Sequence, residues 1–278
     1  MRRVVLSARV VSYAAAVAAA TCLWPAQRAA GQENRGGGAG ASLQLIDDLV
    51  VGNRILATEG ILDGLGHISV RHDQRPDRFL LSRDLAPALV TAADFVEYDL
   101  DGNPVSTQAP RGYQERFIHA AIYKARPDVR SVVHAHTPSV LAFAVSTIPL
   151  RPIYHMASFL VPGVPMYEIR KVAGHNGMLV NDMRTGAALA QTLGDKVVAL
   201  MRGHGYVAVG PDIPEVVSRS IFLDVNARVQ LQAIGLGGTV NYLTSADVGP
   251  GGGQTAQPNQ TTPYPRSWPA WKARAMGR

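Results

Sequence analysis

Apolar residues recur along this chain with two different periods, and the changes between them predict helices and strands. Helical spacing runs through Leu43 to Leu56, where apolar positions line one face of an amphipathic segment. Arg126-Pro127 ends another helical stretch, since the residue before a proline avoids helical backbone. The predicted helices occupy residues 43–56, 114–125, 139–146 and 214–234.

Shorter segments alternate apolar and polar residues between turn-forming residues, which is typical of strands. His67-Ile-Ser-Val-Arg71 follows a glycine-rich break, and an Asp101-Gly102 turn leads to a hairpin return at Pro104-Val105. Strands joined by hairpins, with helices between some of them, predict a mixed or antiparallel sheet covered by helices. The predicted strands occupy residues 67–71, 78–82, 94–100, 131–136, 151–155, 164–168, 178–180, 197–201 and 206–209.

Residues 1–31 are typical of an export signal. Arg2-Arg3 precede an apolar run from Val10 to Trp24, and small residues at 29–31 offer a cleavage site. The paired arginines loosely fit a twin-arginine signal. This segment predicts a periplasmic or secreted protein with no stable membrane insertion after cleavage. An uncleaved anchor, or a cytoplasmic protein with a misassigned start codon, stays open.

Composition divides the remainder into three parts. Residues 32–42 form a Gly-rich linker, residues 43–245 form one domain, and residues 246–278 form a Gly/Pro-rich basic tail. Trp268 and Trp271 favour a tail that docks, for example on a neighbouring subunit, while a frayed tail is an equal alternative.

Charge and cysteine content exclude two kinds of site. The formal net charge is +6, but residues 1–31 and 249–278 carry eight basic residues and no acidic residue, so the body is nearly neutral. A basic surface that tracks nucleic-acid phosphates is therefore not expected. Cys22, inside the apolar run, is the only cysteine. Any metal site must then use His, Asp or Glu.

Three histidines form the candidate chemistry. His134 and His136 stand two apart on a predicted strand, so both imidazoles face one side. His204 lies between Gly203 and Gly205, which let the backbone approach another group closely. Together the three would form a facial site with open positions for substrate. Glu115 supplies a carboxylate as acid/base or fourth ligand, or it is an ordinary helix-start acid.

The order of Glu115, His134-Ala-His136 and Arg202-Gly-His-Gly205 resembles the class II aldolase/adducin family over about residues 43–240. Gly66-His-Ile-Ser-Val-Arg71 is similar to the family's Gly-Asn-Ile-Ser-x-Arg segment. The resemblance implies a three-layer α/β/α fold with a largely antiparallel central sheet, and a homotetramer with interface active sites. It also implies one divalent ion per subunit, Zn²⁺ or Mn²⁺. The implied roles are metal ligand for His134, His136 and His204 and acid/base residue for Glu115.

Departures from the sugar-phosphate aldolases indicate the substrate class. Tyr113-Gln114 stand where those enzymes have phosphate-holding hydroxyl residues, and His67 replaces the usual Asn. Together with Ser82-Arg83 and Tyr154-His155, these positions resemble the branch that decarboxylates hydroxylated aromatic or pyridine dicarboxylates. The predicted substrate-binding residues are His67, Ser82, Arg83 and His155. The planar fork of Arg83 suits a carboxylate, although pairing with a surface acid is an equal alternative.

The favoured function is therefore a metal-dependent lyase that cleaves a C–C bond of a small molecule through an enolate, by decarboxylation of a hydroxyaromatic or heteroaromatic acid. A retro-aldolase acting on a sugar phosphate or hydroxy-oxo acid follows the same chemistry. An adducin-like assembly domain without catalysis is the alternative from another class. The presence of all three histidines favours an enzyme.

Overall fold

The structure, a computed structural model, describes residues 40–175, 177–248 and 266–277. One of the short 3-10 helices among these residues, at His155–Leu160, lies between the third helix and the fifth strand of the elements that follow. The helices are α1 (Leu43–Thr58), α2 (Arg116–Ala125), α3 (Pro138–Ala144), α4 (Arg170–Ala173), α5 (Met183–Leu193), α6 (Ile213–Gly235), α7 (Ser245–Val248) and α8 (Ser267–Ala275). The strands are β1 (His67–Arg71), β2 (Arg78–Ser82), β3 (Phe95–Asp99), β4 (Ser131–Ala135), β5 (Met166–Tyr167), β6 (Val198–Met201) and β7 (Gly205–Gly210).

The strands form one sheet in the order β3-β2-β1-β4-β7-β6-β5. Every neighbouring pair is antiparallel except β5 and β6, which are parallel. The central strands β1, β4 and β7 are buried along their whole length. The predicted antiparallel sheet is confirmed, and β1 and β2 have the predicted bounds.

Side chains on the two faces of the sheet enter two separate cores. On β4, Val132 packs in one core with residues of α2 and α5, while Val133 packs in the other with residues of α1, α3 and α6. This alternation follows from the two-residue period of a strand. Helices therefore cover both faces, which confirms the expected three-layer α/β/α fold.

Helix α5 was not predicted from the sequence, although it packs directly against α2. The side chain of Asp182 caps it by accepting the Thr185 N–H at 2.7 Å. A Cβ at Gly186 would collide with the carbonyl of Phe117, so the two helices lie unusually close. Ala121 of α2 faces Gly186, and these small residues allow the close approach.

The strand predicted over residues 151–155 is wrong. Side-chain amides of α6 pair with the backbone of this segment in place of a neighbouring strand. Asn226 accepts the Ile153 N–H at 2.9 Å and donates to the Arg151 carbonyl at 2.8 Å. Gln230 accepts the Arg151 N–H at 3.0 Å. The backbone groups are satisfied without a sheet, so local alternation alone was misleading.

The end of the described chain docks on its own domain. Trp271 of α8 is buried and its ring lies 6.0 Å from that of Phe222 on α6. Lys272 pairs with Asp47 at 3.0 Å. The prediction of a docked tail is therefore confirmed for α8, with α1 and α6 of the same chain as its partners. Residues 249–265 of the predicted tail lie outside the described residues.

The predicted export signal at 1–31 and most of the linker at 32–42 lie outside the described residues as well. Their assignment, and the periplasmic or secreted location that follows from it, stay predictions. In the described ranges, no helix combines the length and the apolar character needed to cross a membrane.

Candidate metal centre and its cleft

His134 and His136 meet at the end of β4. His134 is the last residue but one of β4, and His136 is the first residue after the strand. Their Nε2 atoms are 3.0 Å apart. The Nδ1 of His134 lies 3.0 Å from the carbonyl oxygen of Tyr206 on β7. A carbonyl only accepts, so Nδ1 of His134 carries a proton and Nε2 is the nitrogen that faces His136.

His204 reaches the same point from the turn between β6 and β7. Gly203 has φ +65°, which allows the tight turn, and a Cβ at Gly205 would collide with the carbonyl of Ala135 on β4. The glycine therefore brings the hairpin against β4. The predicted close approach of the backbone is confirmed at this position.

Glu115 lies one residue before α2 and its side chain does not cap the helix. Its Oε1 accepts the Val180 N–H at 3.0 Å, while Oε2 lies 3.4 Å from Nε2 of His134 and of His204. The strand predicted over 178–180 is wrong, because this segment holds the carboxylate rather than joining the sheet. Burial alone would raise the pKa of Glu115, but the hydrogen bonds and charges of His134 and His204 hold that pKa well below its usual value.

The four side chains fit a divalent ion. One ligand atom from each of Glu115, His134, His136 and His204 lies within 4.8 Å of all the others. Ligand atoms about 2.1 Å from a tetrahedral zinc ion lie roughly 3.4 Å from one another. Three of the pairs here are close to that value, at 3.0 Å for His134–His136 and 3.4 Å for Glu115 with His134 and with His204. Lone pairs this close repel one another unless a cation or a proton lies between them. Three imidazoles and one carboxylate suit Zn²⁺ or Mn²⁺ equally.

Asp63 supports the cluster and was missed in the sequence. Its Oδ1 accepts the N–H groups of Leu65 and Gly66 at 2.9 and 2.7 Å, which fixes the turn before β1. Its Oδ2 lies 3.1 Å from Nδ1 of His136. A carboxylate in this position orients a histidine and increases the basicity of its other nitrogen. The only sequence indication is an Asp that begins the Asp-Gly-Leu-Gly turn ahead of β1.

The cluster opens into a cleft of about 400 Å³. Its walls combine apolar side chains with one exposed ion pair, in which Arg111 Nε lies 3.2 Å from Asp84 Oδ2. None of the lining residues in the described ranges is a serine or threonine. The cleft is lined by Asp63, Leu65, His67, Asp84, Arg111, Tyr113, Gln114, Glu115, His136, Leu179 and His204.

His67 is the predicted substrate-binding residue that the structure brings to the cleft. Its ring lies 4.6 Å from the ring of Tyr113 and 5.2 Å from that of His134, measured between centroids. Its Nδ1 contacts Nε2 of His119 at 2.7 Å. Burial holds the pKa of His67 well below its usual value, so the ring is neutral at ordinary pH.

The other three predicted substrate-binding residues lie elsewhere within the single chain. Ser82 is buried behind Tyr113, with 3.3 Å between the two hydroxyl oxygens. Arg83 donates to Asp94 at 2.7 Å and is not among the residues that line the cleft, whereas Arg111 is. His155 is exposed at the start of its 3-10 helix and is not part of the cluster. Its contribution across a subunit interface stays a prediction.

The fold agrees with what known proteins show. The family model described as the class II aldolase and adducin N-terminal domain matches residues 47–231. This chain therefore belongs to the class II aldolase and adducin family, as its motifs indicated.

Two relatives and one solved structure show which known proteins this chain is similar to. The chain is 40% identical to the decarboxylase tropJ of Talaromyces stipitatus, over 73% of this chain and 79% of that protein. It is 34% identical to a 3,4-dihydroxyphthalate decarboxylase of Arthrobacter keyseri, over 70% of this chain and 81% of that protein. A crystal structure of an aldolase II superfamily protein from Pseudomonas syringae matches with a TM-score of 0.69 and 23% identity, over 84% and 92% of the two chains. The family and the two decarboxylases support a lyase-type enzyme, and the solved structure shares the fold.

Proposed function

We propose that this protein is a divalent-metal-dependent decarboxylase of a hydroxylated aromatic or heteroaromatic carboxylic acid. The observation that carries the proposal is a cluster of three histidines and one glutamate at a cleft whose described lining residues include no Ser or Thr. The two decarboxylases at 40% and 34% identity support the choice of reaction.

His134, His136 and His204 would hold the ion, with Glu115 beside it. When bound, such an ion supplies Lewis acidity that stabilises the negative charge left on the substrate when CO₂ departs. The protein contributes orientation. The Tyr206 carbonyl and the Asp63 carboxylate each engage an Nδ1 atom, so that the Nε2 atoms converge on one point.

Glu115 is placed to move a proton. Oε1 is held by the Val180 N–H, which leaves Oε2 facing the histidines and the cleft. Oε2 takes the proton of a substrate hydroxyl and returns it to the ring carbon whose bond to CO₂ breaks. The electron pair of that bond receives the proton, and water restores the proton of the product hydroxyl.

The cleft favours a flat carboxylate over a sugar phosphate. The Tyr113 hydroxyl donates to the Leu85 carbonyl and is not directed at a ligand. The rings of His67 and Tyr113, with Leu65 and Leu179, offer planar and apolar surfaces. Arg111 supplies the one guanidinium at the rim of the described cleft, and its planar fork suits a carboxylate.

We expect Asp63→Asn to weaken binding of a divalent ion on the order of tenfold, because the amide lacks the charge that increases the basicity of His136. Competition with a chromophoric chelator measures the dissociation constant. Asp84→Asn is the control, since Asp84 lines the same cleft but pairs with Arg111 rather than with a histidine. Equal affinities in the two variants would contradict this role.

We expect Arg111→Lys to raise KM for a carboxylate substrate about threefold to fivefold, the upper part of the range for an exposed charged contact, because lysine keeps the charge and loses the fork. Arg83→Lys should leave KM within twofold, since Arg83 is paired with Asp94 outside the cleft. Initial rates over a substrate series measure both values. A larger effect at Arg83 would restore the assignment made from the sequence.

The reaction itself is tested by screening zinc- and manganese-loaded protein against hydroxyaromatic acids, hydroxypyridine carboxylates and phosphorylated ketoses. Release of CO₂ from an aromatic acid is the expected result. Aldehyde release from a sugar phosphate without any CO₂ would instead favour the retro-aldolase. Folded protein that binds no metal and turns over nothing would favour a non-catalytic adducin-like domain.

A further inference from the structure

A chain of hydrogen bonds leads from the cleft into the layer between the sheet and α2. His67 Nδ1 lies 2.7 Å from His119 Nε2, and His119 Nδ1 lies 2.6 Å from Ser69 Oγ. Ser69 Oγ in turn lies 2.7 Å from the hydroxyl of Tyr123. His67 and Ser69 stand two apart on β1, while His119 and Tyr123 stand four apart on α2. One strand face and one helix face therefore build the chain together.

All four side chains are buried, with 0–1% of each exposed. Polar groups this deep are kept neutral and hydrogen-bonded, because burying an unpaired or charged group is costly. Burial lowers the pKa of His119 to about 3 and raises that of the Tyr123 phenol. The proposed mechanism uses none of His119, Ser69 and Tyr123, although an apolar layer would have packed more simply.

Counting protons leaves two possible directions for the donors along this series of hydrogen bonds. Each neutral imidazole and each hydroxyl carries one N–H or O–H proton, so four protons serve three hydrogen bonds. One proton is left at an end of the chain, either on the Tyr123 oxygen or on Nε2 of His67. Nδ1 of His67 faces His119, so Nε2 is the nitrogen left to face the cleft.

The contacts of Tyr123 decide between the two ends. Among the described residues, its hydroxyl hydrogen-bonds to Ser69 Oγ at 2.7 Å. If Ser69 were the donor, the buried Tyr123 O–H would need another acceptor, and no acceptor other than Ser69 is hydrogen-bonded to that hydroxyl among the described residues. Ser69 is then the acceptor for the Tyr123 proton, and leaving that buried O–H unpaired would be costly.

The remaining donors follow in order. Ser69 donates to Nδ1 of His119, and Nε2–H of His119 donates to Nδ1 of His67. We infer that His119, backed by Ser69 and Tyr123, is a positioning residue that fixes the tautomer of His67 and makes its Nε2–H a hydrogen-bond donor to the substrate. The group it fits is an oxygen with free lone pairs, such as a carboxylate or hydroxyl oxygen beside the histidine cluster. The identity of that substrate rests on the proposed function, whereas the tautomer does not.

The tautomer is measured directly on the full chain, loaded with zinc and labelled with ¹⁵N-histidine. Long-range ¹H–¹⁵N spectra show which ring nitrogen carries the proton, and the loss of signals in His67→Gln and His119→Gln assigns the two rings. We expect the proton on Nε2 of both rings. A proton on Nδ1 of His67 would overturn the inference.

Two substitutions at His119 separate positioning from packing. His119→Gln keeps an N–H for Nδ1 of His67, whereas His119→Leu removes it. We expect His119→Leu to give His67 a mixture of tautomers and to raise KM for the hydroxyaromatic acid about threefold to tenfold, with kcat within twofold. His119→Gln should keep the single tautomer and a KM within threefold of the wild-type value.

The outcomes distinguish the inference from the proposed function. An unchanged His67 tautomer in His119→Leu, or equal KM changes in the two variants, would overturn the positioning role. If His119→Leu does not fold, the wild-type tautomers and the KM of His119→Gln still decide the question. If the expected tautomers are found but no aromatic acid is decarboxylated, the proposed function fails while the hydrogen-bond chain stands.

Discussion

His134→Ala is expected to abolish both metal binding and turnover. His134 is the central side chain of the cluster, with Nε2 within 3.0 Å of His136 Nε2 and 3.4 Å of Glu115 Oε2. Removing one of three imidazoles leaves an incomplete chelate, and the unligated pair holds a divalent ion far more weakly. Metal analysis after gel filtration should give less than a tenth of an equivalent per chain, with a value near one for wild type.

His175→Ala is the control for that experiment. His175 is exposed and lies outside the four-residue cluster, so its loss should leave metal content and turnover unchanged. Circular dichroism and the melting temperature of metal-free protein show whether each variant folds. Full metal occupancy in folded His134→Ala would remove this histidine from the proposed ligand set, and with it the mechanism that depends on the cluster.

Glu115→Gln is expected to retain metal and lose at least a hundredfold in kcat. The three histidines remain, and the glutamine carbonyl can still accept the Val180 N–H that holds Glu115. The amide cannot take up a proton and return it, and such transfers contribute about 10²- to 10⁴-fold to a rate. The measurement is kcat on the best acid from the substrate screen, with metal content determined on the same sample.

Glu97→Gln is the matched control, because Glu97 is also a partly buried carboxylate held by hydrogen bonds, but it pairs with Arg75 and Arg78 outside the cleft. Its kcat should stay close to that of the wild type. Normal turnover by Glu115→Gln would make Glu115 a structural residue or a dispensable ligand. Loss of metal from that variant would instead assign it chiefly to metal binding.

The sequence was informative wherever the chemistry depends on neighbours along the chain. The spacing of His134 and His136 places both rings on one face, because strand side chains alternate. The glycine beside His204 marks a close backbone contact, which the structure finds against the Ala135 carbonyl. For the same reason β1 and β2 were predicted with their observed bounds, since a strand's alternation is a local property.

Predictions failed where a distant partner replaces a local one. Residues 151–155 alternate like a strand, yet Asn226 and Gln230 satisfy their backbone. Residues 178–180 were also expected in the sheet, but the Val180 N–H holds Glu115 instead. Backbone groups must be paired, and the sequence does not say whether a ladder or a side chain pairs them.

The arginine that could bind a substrate carboxylate is also decided by the tertiary structure rather than by the local sequence. Arg83 and Arg111 are both compatible with carboxylate binding in the sequence, and only the fold shows that Asp94 occupies the first while the second lines the cleft. Asp63 was likewise invisible as a site residue, because its partner His136 lies 73 positions away. The sequence by itself indicated the family, because its motifs are short and local, and the layered fold and the four residues of the cluster followed from that resemblance. The tertiary structure alone decided what surrounds the cluster, because hydrogen bonds and ion pairs between distant residues form only when the fold brings them within about 3 Å.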